Sequence, residues 1–221
     1  MQKTALILGG TGLVGSHLME QLTQRKEYDK IFVLTRRKIQ FDSEKIIAIV
    51  TDFKDYSFIS ELPKIDSVFS CLGTTKNQTP DKTEYLAIEI GIPSDVIKTL
   101  EQTGNHPSKI HVVSAIGANP KVGNFYIKMK GELETLIKNS FFNQKFIYQP
   151  AVILGERNRP YKMWEKLVFS VSKLMDKILK GKSMKYHTIE AKQIAKAMIH
   201  YDVQSNPATI KVLLYNEMII A

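Results

Sequence analysis

At 221 residues, with 43% hydrophobic and 24% charged residues, the chain has the size and composition of one soluble globular domain with a full core. No apolar run reaches the roughly 20 residues of a membrane-spanning helix, and the short apolar stretch in "MQKTALILGG" is below signal-peptide length. A single cysteine, Cys71, excludes an internal disulfide and points to a reducing, cytoplasmic setting, and no His/Cys cluster has metal-ligand spacing, so no metal is expected.

In chain order, "TALILGG" is a short apolar run ending in glycines, as in a buried parallel strand. "GLVGSHLMEQLTQR" follows with apolar residues at Leu13, Val14, Leu18 and Leu22, a helical rhythm. "KIFVLTRR", "KIIAIVTD", "SVFSCLG", "KIHVVSA" and "KFIYQPAVI" read as five further strands. Helical stretches fall over 54–61, over 82–103 with Pro93 breaking it, and over 124–139. Strands alternating with helices predict an α/β fold, a doubly wound parallel sheet of Rossmann type with right-handed crossovers.

After Ile153 the rhythm changes. Residues 161–180 read as one helix with Trp164, Leu167, Val168, Val171, Leu174, Met175 and Ile178 in an apolar stripe, and a second helix covers 190–201. "TIKVLLYN" offers a last strand. The expectation is one cofactor-binding domain over 1–221, in which 151–221 form a small cap over the substrate. The net charge of +9 concentrates here, with eleven Lys/Arg against three acids from Arg157 to His200. A basic amphipathic helix suits anionic lipid. The cap, however, needs that stripe for its own core or for a second copy, so the expectation is no stable membrane insertion, with a homodimer as the other candidate cover. No nucleic-acid module is recognisable.

The first strand runs into "GGTGLVG", where Gly9, Gly12 and Gly15 are spaced G-x-x-G-x-x-G. Such glycines allow a tight turn, a close backbone approach to a pyrophosphate, and close packing of helix on sheet. Thr11, Leu13 and Val14 complete the turn and the helix start, whose free N–H groups favour phosphate. Strand before and helix after make this a dinucleotide site. NAD-preferring sites carry an acid at the end of the second strand. "LTRRK" has Arg36 and Arg37 there instead. Guanidinium groups suit a 2′-phosphate, so NADP(H) is expected over NAD(H).

Ser114 ends the fifth strand, twelve residues before Tyr126, and Lys130 follows Tyr126 by four, on the same helix face. All three can converge at the carboxyl ends of the strands, where such sheets bind ligands. That set suits carbonyl reduction. Tyr126 donates the proton, Lys130 lowers the phenol pKa and holds the cofactor ribose, and Ser114 orients the carbonyl oxygen.

With these residues in place, the chain resembles the short-chain dehydrogenase/reductase superfamily of atypical or extended type. Within it, "LTRRK", "VTDF", "CLGTTK", "SAIGANP", "NFYIKMKGELE" and "QPAVILGERNRP" resemble the Tat-interacting-protein-like NAD(P)H-binding oxidoreductases, with residues 3–160 covered. The resemblance implies that Asp52 and Phe53 flank the adenine, that Cys71, Leu72, Gly73 and Thr74 line the cofactor, and that Pro150 and Ile153 border the nicotinamide. It also implies a relay asparagine after strand four. The matching position lies near Glu89 and has none, so a water chain would serve or turnover would be slow. Arg157 and Arg159 stand where substrate loops begin in relatives. The expected function is an NADPH-dependent reductase of a small carbonyl compound. A non-catalytic NADP(H) sensor is the alternative, and a sugar-nucleotide epimerase ranks last because the C-terminal region is short.

Overall fold

The computed structural model describes residues 2–155, 179–204, 207 and 209–219. Arg157, Arg159 and most of the basic stretch 161–180 lie outside them. Seven parallel strands form one sheet in the order β3-β2-β1-β4-β5-β6-β9, built from β1 (Lys3–Leu8), β2 (Tyr28–Thr35), β3 (Ile46–Val50), β4 (Ser67–Ser70), β5 (Lys109–Val113), β6 (Gln144–Tyr148) and β9 (Thr209–Leu213). This is the doubly wound arrangement the alternation predicts. β7 (Val152–Leu154) and β8 (Thr188–Glu190) pair separately.

The central strands are buried on both faces, and two cores result. On one face, α1 (Leu13–Thr23) and α5 (Ala191–Val203) pack through Leu18, Leu22, Ile194 and Met198. On the other, α3 (Ile92–Gln102) and α4 (Phe125–Asn139) pack through Val96, Leu100, Leu133 and Ile137. The segment after Gly155 does not all cap the strand ends. α5 covers the sheet and β9 extends it beyond β6. A short helix, α6 (Tyr215–Ile219), closes the described chain.

Three local readings change. The stretch 54–61 is a single 3-10 segment, Ser57–Glu61, too short for an α-helix. Pro93 does not break its helix. α2 (Lys82–Leu86) passes through a wide π turn, Ala87–Gly91, into α3, whose second residue is Pro93, so the chain stays helical across the proline. "KFIYQPAVI" splits at Pro150, which cannot donate to a ladder. Its carbonyl instead accepts from Ile116 N–H at 3.0 Å.

Candidate active site

Beyond β1 the chain turns sharply. Gly12 N–H donates to the Gly9 carbonyl at 3.0 Å, and Ser16 N–H to Gly12 at 2.9 Å. Gly9 has φ +76, and a Cβ there would lie 2.8 Å from the backbone of Cys71 and Leu72. At Gly15 a Cβ would sit 2.2 Å from the Gly9 carbonyl oxygen. Gly15→Ala must therefore push α1 off the turn, an overpacking of about 1–3 kcal/mol. We expect dinucleotide affinity to fall roughly tenfold or more in a fluorescence titration. Unchanged affinity would show that the turn does not bear on the ligand.

Two chambers open over this turn. The inner, of about 500 Å³, is lined by Thr11, Gly12, Leu13, Val14 and Ser16 from the turn and α1, by Cys71–Thr75, and by Ser114, Tyr126, Lys130 and Ile153. The outer, of about 280 Å³, takes in Gly9, Arg36 and Phe53 and shares Thr11, Gly12 and Cys71–Thr74 with the inner. The residues fit a dinucleotide. A glycine cradle lies between two chambers, and α1 starts with no acid in its own first turn to compete for its free N–H groups.

Ser114, Tyr126 and Lys130 thus share one cavity, as do Leu13, Val14 and Ile153. Gly15, Arg37, Asp52 and Pro150 do not line either chamber. Gly15 supports the turn from behind. Arg37 is exposed and accepts from Thr35 Oγ1 through its carbonyl at 2.8 Å. Asp52 caps its own turn, accepting from Lys54 N–H at 3.0 Å, while Phe53 beside it has φ 60 and faces the outer chamber. Pro150 is buried behind Ile116.

Two buried carboxylates complete the set. Lys130, 3% exposed, donates from Nζ to Glu89 Oε2 at 2.7 Å and to the Val113 carbonyl at 3.3 Å. Ser114 Oγ donates to Glu134 Oε1 at 2.6 Å. Gln149 donates to the same oxygen at 2.7 Å, and Lys138 to Oε2 at 3.1 Å. The serine's proton is therefore committed, and its lone pairs are what remain to face the cavity. Glu134 was detectable in principle, since it stands four residues after Lys130 on one helix face. Its link to Ser114 depends on tertiary packing.

Tyr126 remains 42% exposed. Desolvation around the phenol raises its pKa, Lys130 opposes this, and Glu89 adds to it. The expected net lowering by the lysine is not found. A phenol held protonated suits a proton donor and disfavours a base. Cys71 is not reactive by this geometry: burial pushes its thiol up to about 12, and its Sγ lies 4.0 Å from Met198 Sδ. Among the described residues, no group of three His, Cys, Asp or Glu side chains is placed to hold a metal, and no helix is long and apolar enough to cross a membrane.

Comparison with known proteins gives this site a context. Relatives named "Protein FMP52, mitochondrial" include one from Lodderomyces elongisporus, 38% identical over 72% of this chain and 70% of its own. Another, from Aspergillus niger, is 30% identical over 90% and 86%. Among solved structures, the nucleoside-diphosphate-sugar epimerase from Agrobacterium tumefaciens superposes with TM-score 0.69 at 15% identity, covering 96% of this chain and 74% of that one. The Bordetella bronchiseptica enzyme WbmH, in complex with NAD+, gives TM-score 0.68 at 15% identity, over 97% and 76%. At such identity these two show the fold alone. The mitochondrial names of the relatives overturn the cytoplasmic expectation. A lone cysteine excludes an internal disulfide, but it does not choose among compartments. The description "NAD dependent epimerase/dehydratase family" matches residues 5–148, well over half of the sequence, and the chain belongs to that family.

Proposed function

We propose that this protein is an NADPH-dependent reductase of small carbonyl compounds. The observation that carries the reading is the meeting of Ser114, Tyr126 and Lys130 in the chamber that also holds the glycine turn. A reduced nicotinamide, when bound, supplies the hydride. Tyr126, kept neutral by its surroundings, gives the proton to the substrate oxygen. Ser114 faces that oxygen with its lone pairs while Glu134 holds its proton. It thus accepts from an alcohol product and must leave Glu134 before it can donate to a carbonyl. Loss of NADPH absorbance across a panel of aldehydes, ketones and quinones tests the reading. Binding without turnover on every compound favours the sensor instead.

NADP(H) preference rests on Arg36, which lines the outer chamber, and on the absence of an acid at the end of β2. One charge-assisted contact to a 2′-phosphate contributes about 1.5–3 kcal/mol. NADPH is therefore expected to bind at least roughly tenfold tighter than NADH, a gap that Arg36→Ala closes. Equal dissociation constants in the wild type would end the preference.

An epimerase reading has support in the family description and in the sugar-nucleotide epimerases among the structures with this fold. It would use the same tyrosine for transient oxidation and return, and release of free NADH or of an oxidised sugar would argue against it. The narrower likeness to the Tat-interacting-protein-like oxidoreductases favours firm cofactor binding over any one substrate. For partners, the reading carries a small-molecule carbonyl substrate, a homodimer to be checked by sedimentation, no nucleic acid and no membrane insertion.

A further inference from the structure

Glu89 is 1% exposed, yet it lies in the wall of the inner chamber. It stands in the wide turn Ala87–Gly91, which rotates it out of the register of a regular helix. One carboxylate oxygen accepts from Lys130 Nζ at 2.7 Å. The other accepts from Thr74 N–H at 2.8 Å, in the loop that floors both chambers. One side chain therefore ties together the π turn, the loop after β4 and α4. A buried ion pair is weak evidence of a stabilising role, because well-packed apolar groups serve at least as well. Its place beside Tyr126 calls for another explanation.

We propose that Glu89 is a positioning residue, which fixes the Lys130 ammonium and the Thr74 loop and offsets the lysine charge beside Tyr126. Its catalytic meaning rests on the reading of Tyr126 as proton donor. The ionisable groups around the phenol are few. Glu89 faces it from the π turn, and Tyr85 from α2. α4 supplies Lys130, while Glu134 on the same helix is engaged by Ser114, Gln149 and Lys138. Lys82 lies over the Phe125 ring at 5.9 Å, and Cys71, in the loop after β4, stays protonated. The Glu89 carboxylate beside the Lys130 ammonium opposes the lysine's pull on the phenolate and offsets part of it. Burial then decides.

The test is an ultraviolet titration of the phenolate of Tyr126, isolated by subtracting the Tyr126→Phe spectrum made in the same background. Glu89→Gln keeps an oxygen for Thr74 N–H and leaves Lys130 uncompensated. We expect Tyr126 to ionise at least about one pH unit lower than in the wild type. Glu89→Asp, which keeps the charge, returns it most of the way. The double variant Glu89→Gln/Lys130→Met removes both charges and should ionise close to the wild type. A folded Glu89→Gln protein whose Tyr126 ionises as in the wild type overturns the proposal. So does a double variant that ionises a full pH unit or more above it, and this second comparison decides if the single variant fails to fold. A failed substrate panel counts against the reductase reading and leaves this titration to judge Glu89.

Discussion

Asp202→Asn is expected to lower the thermal midpoint by roughly 6–12 °C, read by circular dichroism. Asp202 sits near the end of α5 with its side chain wholly buried, against the N-terminal edge of the sheet. Lys3 Nζ and the Tyr28 hydroxyl donate to its Oδ2 at 2.7 and 2.5 Å, and His111 Nε2, at 3.2 Å, and Ser67 Oγ donate to Oδ1. Lys3 and Lys109 also donate to its backbone carbonyl at 2.7 and 2.6 Å. One residue thus joins α5 to the starts of β1, β2, β4 and β5. Burial disfavours the charge, but the His111 and Lys3 contacts outweigh it and hold the carboxyl below its usual range. An amide in that place presents N–H to a donor and removes the countercharge. Breaking a buried pair in this way costs about 3–5 kcal/mol, and the low end applies because Lys3 is 25% exposed and can turn to solvent. At about 2–4 °C per kcal/mol for a chain of this size, the stated drop follows.

The same cluster sets the response to acid. The Tyr148 hydroxyl lies 3.0 Å from His111 Nδ1, and Nε2–H points at Asp202; burial lowers the imidazole pKa, which favours the neutral ring with Tyr148 donating to Nδ1. The unfolded chain then takes up a proton on His111 first, and stability falls once the pH drops below about 6.5. Asp202, depressed in the fold, adds a second loss below about 4, where the unfolded carboxyl protonates and the folded one does not. Both effects have the same sign. A variant at Asp202 should lose the steep lower limb, and a midpoint within about 2 °C of the wild type at neutral pH would show that the cluster is not a fastening.

None of this network was legible in the sequence. Lys3, Tyr28, Ser67, Lys109 and Asp202 span the whole chain, and each reads as the polar end of an apolar element. Their meeting follows from strand order, which no local pattern encodes. Gly9, Gly12 and Gly15 were legible because turn, strand and helix lie within a few residues of one another. Ser114, Tyr126 and Lys130 were legible for a similar reason: one strand end and one helix face bring them together. What escaped was their charge environment. Glu89 reaches the site through a π turn where Pro93 signalled a break, and Glu134 captures the Ser114 proton across a packed interface. The tyrosine's expected activation by lysine therefore became a question of compensation.

Tyr126→Phe is the decisive substitution for the proposed reaction. The phenol has no hydrogen-bond partner among the described residues, and the ring is 42% exposed, so losing the hydroxyl should leave stability and cofactor binding nearly unchanged. Positioned proton donors contribute about 10²–10⁴-fold, and turnover on any carbonyl substrate should fall by that factor. Because burial raises the phenol pKa, the donor form persists across neutral pH, and the reductive rate should be flat until it declines at alkaline pH. Alcohol oxidation needs the phenolate and should rise over that same alkaline range, so the wild type at neutral pH should favour reduction. A Tyr126→Phe enzyme that keeps even a tenth of wild-type turnover, or a wild type whose reductive rate already declines between pH 6 and 8, would place the proton on another group. Glu89, with Lys130 beside it, is the carboxylate that the described chamber wall then offers.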